Sequence, residues 1–128
     1  MAIKFKAVAK GQPGISGGGT KKHYAASVHN KEDFTLEKLT KGVEKSSTVS
    51  GADIRAVLYA SVEEVCDALS ESNIVRFGDL GSFRVSLSSE GKDTPEQVTE
   101  ASIKNARIVF TPSTKLKAML ASAKFKKA

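Results

Sequence analysis

The sequence predicts an α+β fold. A helical hairpin comes first, then a three-stranded antiparallel sheet and a C-terminal helix, with a β-hairpin added at the N-terminus. Three observations carry this. Two stretches between 35 and 70 hold apolar residues at helical spacing. Residues 82–88 alternate apolar and polar without a break. Two further alternating stretches near the N-terminus flank a run rich in glycine. With 128 residues, 40% of them hydrophobic and 27% charged, the chain fits a soluble globular class with a modest core.

Ile3, Phe5 and Ala7 alternate with Lys4, Lys6 and Val8, and Tyr24, Ala26 and Val28 with His23, Ala25, Ser27 and His29, so 3–9 and 22–29 read as half-buried strands. Between them GQPGISGGGT is too rich in glycine for helix or strand and reads as a long, mobile hairpin loop. It is not a P-loop, because it precedes a strand and no Gly-Lys-Ser/Thr follows Gly19.

Thr35 is placed to cap a helix whose face is Leu36, Leu39 and Val43, ending near Ser46. Ser50 and Asp53 form a start resembling a capping box, and Ile54, Val57, Leu58, Val62, Val65 and Leu69 then give a helical stripe to about Ser70. Cys66 borders that stripe as a small core residue, with no histidine beside it to suggest a nucleophile.

A strand over 73–77 leads into the corner Gly78-Asp79-Leu80-Gly81, and Phe83, Val85 and Leu87 alternate with Arg84, Ser86 and Ser88 beyond it. In Thr94-Pro95-Glu96-Gln97 a hydroxyl, a proline, an acid and a glutamine stand in helix-start order, which predicts a short helical turn near 95–100. The third strand, 103–110, puts Ala106, Ile108 and Phe110 on one face, and Thr111-Pro112-Ser113 ends it. Ser113 or Thr114 caps the last helix, which carries Leu116, Met119, Leu120 and Ala123.

The net charge of +6 is unevenly spread: residues 1–31 carry six lysines and no acid, residues 113–128 carry five and no acid, and the middle nets −5. Basic ends suit a polyanionic partner. The single cysteine forms no intrachain disulfide, consistent with a reducing cytosol, and one cysteine with two histidines argues against a closed zinc site. His23 and His29 stand six positions apart on one predicted strand, roughly 20 Å by strand rise, too far to share a metal. No Ser/His/Asp set, HExxH or CxxC is present, so no enzymatic activity and no cofactor is expected. The N-terminus lacks the apolar block of a secretory signal, and no run approaches the ~20 apolar residues of a spanning helix, so no membrane partner is expected either.

Two stretches give the chain a relative. Leu80-Gly81-Ser82-Phe83 resembles the Phe-Gly-x-Phe corner of the bacterial HU/IHF-like DNA-binding family. Phe110-Thr111-Pro112-Ser113-Thr114-Lys115-Leu116-Lys117 resembles its Phe-x-Pro-Gly-x-x-Leu-Lys signature, with Ser113 where the family has glycine. The likeness runs from about Thr35 to Lys124, dividing the chain into an N-terminal β-hairpin extension (1–34) and an HU/IHF-like domain (35–128), and it places the chain near HU-like proteins with an N-terminal extension.

The resemblance implies an intertwined homodimer, double-stranded DNA as partner, no small-molecule substrate, and a place in the bacterial cytoplasm at the nucleoid. By position, the matching DNA-binding candidates are Ser82 and Arg84 at the corner, Lys104 and Arg107 on the strand leading back from the arm, and Ser113, Lys115, Lys117 and Lys124 at the final helix. Family members bend DNA by wedging an arm-tip proline into the minor groove. Here the only proline of that segment, Pro95, lies among Asp93, Thr94 and Glu96, and residues 88–104 net −2. The wedge is therefore not carried over. The expected function is non-sequence-specific, histone-like DNA binding without it. The alternative is an HU-shaped structural or protein-interaction module that has lost DNA binding. An RNA-binding KH loop fits poorly, because such a Gly-x-x-Gly joins helices, whereas this one joins strands and carries Asp79.

Overall fold

The structure, a computed structural model, describes residues 2–10 and 22–128. The glycine-rich loop predicted over 11–20 lies outside the described residues. The chain divides into two units, one of residues 1–34 with 119–128 and one of residues 35–118.

In the first unit, the alternating stretches form β1 (Ile3–Lys10) and β2 (Lys22–Ser27), paired antiparallel from Phe5 opposite Ser27 to Lys10 opposite Lys22. β2 stops at Ser27, short of the predicted His29. On the other edge of β1 lies a short C-terminal strand that the sequence reading did not anticipate. This strand, numbered β6 (Phe125–Lys127) in chain order, runs parallel to β1 with Ile3 opposite Phe125 and Lys4 opposite Lys126. Backbone bonds from the Ile3 N–H to the Lys124 carbonyl and from the Ala128 N–H to the Phe5 carbonyl, each 2.8 Å, close its two ends. The predicted two-stranded hairpin is thus part of a three-stranded mixed sheet in the order β2-β1-β6.

In the second unit, helix α1 (Leu36–Ser46) begins where Thr35 Oγ1 accepts the Lys38 N–H at 3.3 Å. Helix α2 (Gly51–Ser70) begins where Ser50 Oγ accepts the Asp53 N–H at 3.4 Å. Both starts are as the sequence predicts. The helices pack as a hairpin, and α2 lies against β3 (Val75–Phe77) and β4 (Gly81–Ser89). Strand β5 (Ile103–Pro112) completes an antiparallel sheet in the order β3-β4-β5. Pro112 ends β5, where its missing N–H costs the ladder nothing. Helix α3 (Thr114–Ala121) follows, and the boundary between the units falls within it.

The segment joining β4 to β5 is not an extended arm. It folds into 3-10 turns at Pro95–Gln97 and Glu100–Ser102, in place of the one helical turn predicted. Thr94 makes no side-chain cap; instead Gln97 Oε1 accepts the Asp93 N–H at 3.2 Å. Ser102, 3% exposed, ties the segment down. Its carbonyl accepts the Glu90 N–H at 2.9 Å, and its hydroxyl donates to the Thr99 carbonyl at 2.6 Å.

Among the described residues only Ile54 and Leu69 are buried apolar side chains. A single copy of the chain therefore covers little of its own apolar surface.

Candidate nucleic-acid interface

Register decides what the β3-β4-β5 sheet presents. Phe83 stands opposite Phe110, Val85 opposite Ile108 and Leu87 opposite Ala106, so these six share one face. The Phe83 and Phe110 rings lie 5.0 Å apart. The other face carries Ser82 opposite Thr111, Arg84 opposite Val109, Ser86 opposite Arg107, and Ser88 opposite Asn105. Arg76 of β3 stands opposite Ser82, which puts it on this polar face too.

The three arginines follow a diagonal. Arg76 is level with Ser82, Arg84 lies one same-face step further along β4, and Arg107 is level with Ser86, one step further again. Diagonal neighbours in a sheet sit about 7–8 Å apart at their Cα atoms. All three side chains are exposed, and no aspartate or glutamate shares the face. Hydroxyls and the Asn105 amide fill in between them. Such a surface can pair cations and hydrogen-bond donors with a run of phosphates.

Of the eight residues expected from sequence, the structure gathers Ser82, Arg84 and Arg107 on this face. Lys104 sits where the β4–β5 register shifts, in the step that pairs Ser88 with Asn105 and Ser89 with Ile103. Ser113 is engaged in the fold. Its hydroxyl donates to the Asp79 carbonyl and accepts the Leu116 N–H at 3.2 Å, capping α3 against the corner. Lys115 and Lys117 are exposed on the first turn of α3, whereas Lys124 belongs to the first unit. Arg76 was missed. The signal was the turn: the Leu80 N–H bonds the Phe77 carbonyl at 3.0 Å, which closes a four-residue turn and sets Arg76 against Ser82.

No group of three or more histidine, cysteine or acidic side chains among the described residues could hold a metal, and no helix among them is long and apolar enough to cross a membrane.

A helical hairpin on a three-stranded sheet, with a glycine corner locked to a capped C-terminal helix, defines an HU-like unit. The chain belongs to the HU-HIG family, described as an HU domain fused to wHTH, Ig, or glycine-rich motif, whose model matches residues 1–127. The fold is shared with the 2.25 Å crystal structure of a provisionally named bacterial DNA-binding protein from Bacteroides vulgatus ATCC 8482. The two superpose with a TM-score of 0.67 at 12% identity, over 98% of this chain and 48% of the other. This chain thus spans about half the length of that protein. No curated protein matches it.

Proposed function

We propose that this chain is a DNA-binding, nucleoid-associated protein of the bacterial cytoplasm that acts as a homodimer and has no enzymatic activity. The observation that carries the reading is the diagonal Arg76–Arg84–Arg107 on an acid-free sheet face. The contacts available there suit the phosphate backbone, which gives affinity without sequence preference and with steep salt dependence. Lys104, Lys115 and Lys117 add cations in the same unit, and the name of the Bacteroides vulgatus protein points the same way.

The dimer is supported by what one copy leaves uncovered. A largely apolar groove of about 480 Å³ runs between α2 and the sheet, lined by residues including Leu36, Val62, Phe77, Leu80, Phe83 and Ile108. Leu87 and Ile108 are 59% and 64% exposed. Monomeric proteins rarely leave such continuous apolar surface open. A second copy related by a two-fold axis offers the same groove in return.

Binding without a proline wedge is supported by the connecting segment. Pro95 opens a 3-10 turn, Glu90, Asp93, Glu96 and Glu100 surround it, and Glu90 is paired with Lys92 at 3.4 Å.

The second reading, an HU-shaped interaction module that does not bind DNA, draws on one fact: residues 35–118 hold eleven cations and twelve acids. Anisotropy of a labelled duplex of arbitrary sequence separates the two. Replacing Arg76, Arg84 and Arg107 together by Gln should weaken binding equally for unrelated sequences. An affinity that survives this replacement unchanged would remove the arginine face from the account.

A further inference from the structure

We infer that the sheet built from the two chain ends is a second duplex-DNA surface, and that it carries the larger part of the phosphate contact. This rests on the DNA-binding reading above and assigns most of the charge contact to a different part of the chain.

The register places the lysines. Lys4 stands opposite Lys126, Lys6 opposite Ala26, Val8 opposite Tyr24, and Lys10 opposite Lys22. Paired residues share a face, so Lys4, Lys6, Lys10, Lys22 and Lys126 all project from one side of the β2-β1-β6 sheet, with Tyr24 among them. From sequence these appeared as separate basic ends. The parallel pairing of β6 with β1 merges them into one patch. The face holds no acid, and among the described residues none of the five is ion-paired. Lys4 Nζ donates to Asn30 Oδ1 at 3.4 Å, which leaves its charge uncompensated.

Two further features separate a binding face from a solubilising one. Like charges directly opposite each other in a sheet oppose its folding, and this face contains two such pairs, Lys4–Lys126 and Lys10–Lys22. A polyanion lying across them relieves that repulsion. The unit is also where the charge of the chain resides: residues 1–34 and 119–128 hold nine lysines against Glu32 and Asp33, a net of +7, while the HU-like unit is close to neutral.

The same geometry favours nucleic acid over an anionic membrane. Ile3, Phe5 and Phe125 lie on the opposite face, around a cavity of about 380 Å³. A membrane-surface element inserts apolar side chains while its lysines stay at the headgroups. Here Ile3, Phe5 and Phe125 point away from whatever these five lysines touch, and Tyr24 is the single aromatic on the lysine face. A duplex needs only the cations, with lysines two apart on a strand spaced roughly 6.5 Å.

The test uses the full chain and a labelled duplex of arbitrary sequence, titrated at a series of salt concentrations. Lys4, Lys6 and Lys126 are replaced together by Gln and, separately, together by Arg. Each phosphate contact contributes a slope of about −0.9 to log K against log salt, so the Gln variant should lose roughly 2–3 of slope and the Arg variant should keep it. If the wild type binds and the Gln variant has an unchanged slope, this inference fails while the DNA-binding reading stands. If the wild type binds no duplex at low salt, both fail. Capture of the wild type by phosphatidylserine vesicles at a salt concentration where the duplex is not bound would overturn the assignment to DNA.

Discussion

The Ser113 backbone N–H donates to the Leu80 carbonyl at 3.2 Å, joining the corner between β3 and β4 to the start of α3. The two stretches of sequence that signal the family are thus in direct contact. Gly81 makes the closeness possible. It pairs with Pro112 at φ +147, and a Cβ there would run into the Thr111 carbonyl oxygen and come within 2.8 Å of the Phe110 ring. Gly81→Ala combines a backbone conformation that side chains disfavour with a collision against backbone, so it should cost about 2–4 kcal/mol. Urea unfolding monitored by circular dichroism reads this directly. A change of only a few tenths would contradict the packing described.

Ser113 stands where the family has glycine, and its hydroxyl does the work of a cap. Ser113→Ala should destabilise by about 1 kcal/mol, whereas Ser113→Gly should cost only a few tenths. The same unfolding experiment ranks the two. A Ser113→Ala variant as stable as the wild type would mean that the hydroxyl contributes nothing as a cap.

Sedimentation equilibrium should give twice the chain mass of 13.6 kDa. Ile108, 64% exposed in one copy and lining the apolar groove, is the position to test. Ile108→Glu would place an unpaired carboxylate in the interface and should dissociate or unfold the protein, while the exposed Ser88→Glu on the polar face should leave the mass unchanged. A wild-type monomer would contradict the dimer.

Much of this architecture is legible in the residues. Thr35, Ser50 and Ser113 announce their helices because a capping hydroxyl acts within three residues, and the alternation of Phe83, Val85 and Leu87 sets the apolar face of β4. What escapes is what non-local pairing decides. Phe125-Lys126-Lys127 is too short to show a period and becomes a strand only because β1, over a hundred residues away in sequence, offers a free edge. Arg76 joins the arginine diagonal through the register of a three-residue strand. The convergence of the lysines from both ends follows from that same unannounced pairing, so a reading by segments finds the charge but not the face.

Pro95 opens a 3-10 turn within a tied-down, acidic segment. Pro95→Ala should therefore leave the bend of bound DNA unchanged, measured as energy transfer between dyes at the two ends of a short duplex. A bend that falls when Pro95 is replaced would restore the family's wedge.

The most direct test of the account is the affinity of the wild-type protein for a duplex of arbitrary sequence as a function of salt. The account predicts binding at low salt that weakens linearly in log–log form with a steep slope, about −0.9 for each phosphate engaged, and that is the same for unrelated sequences. No binding at low salt, or an affinity indifferent to salt, would contradict it.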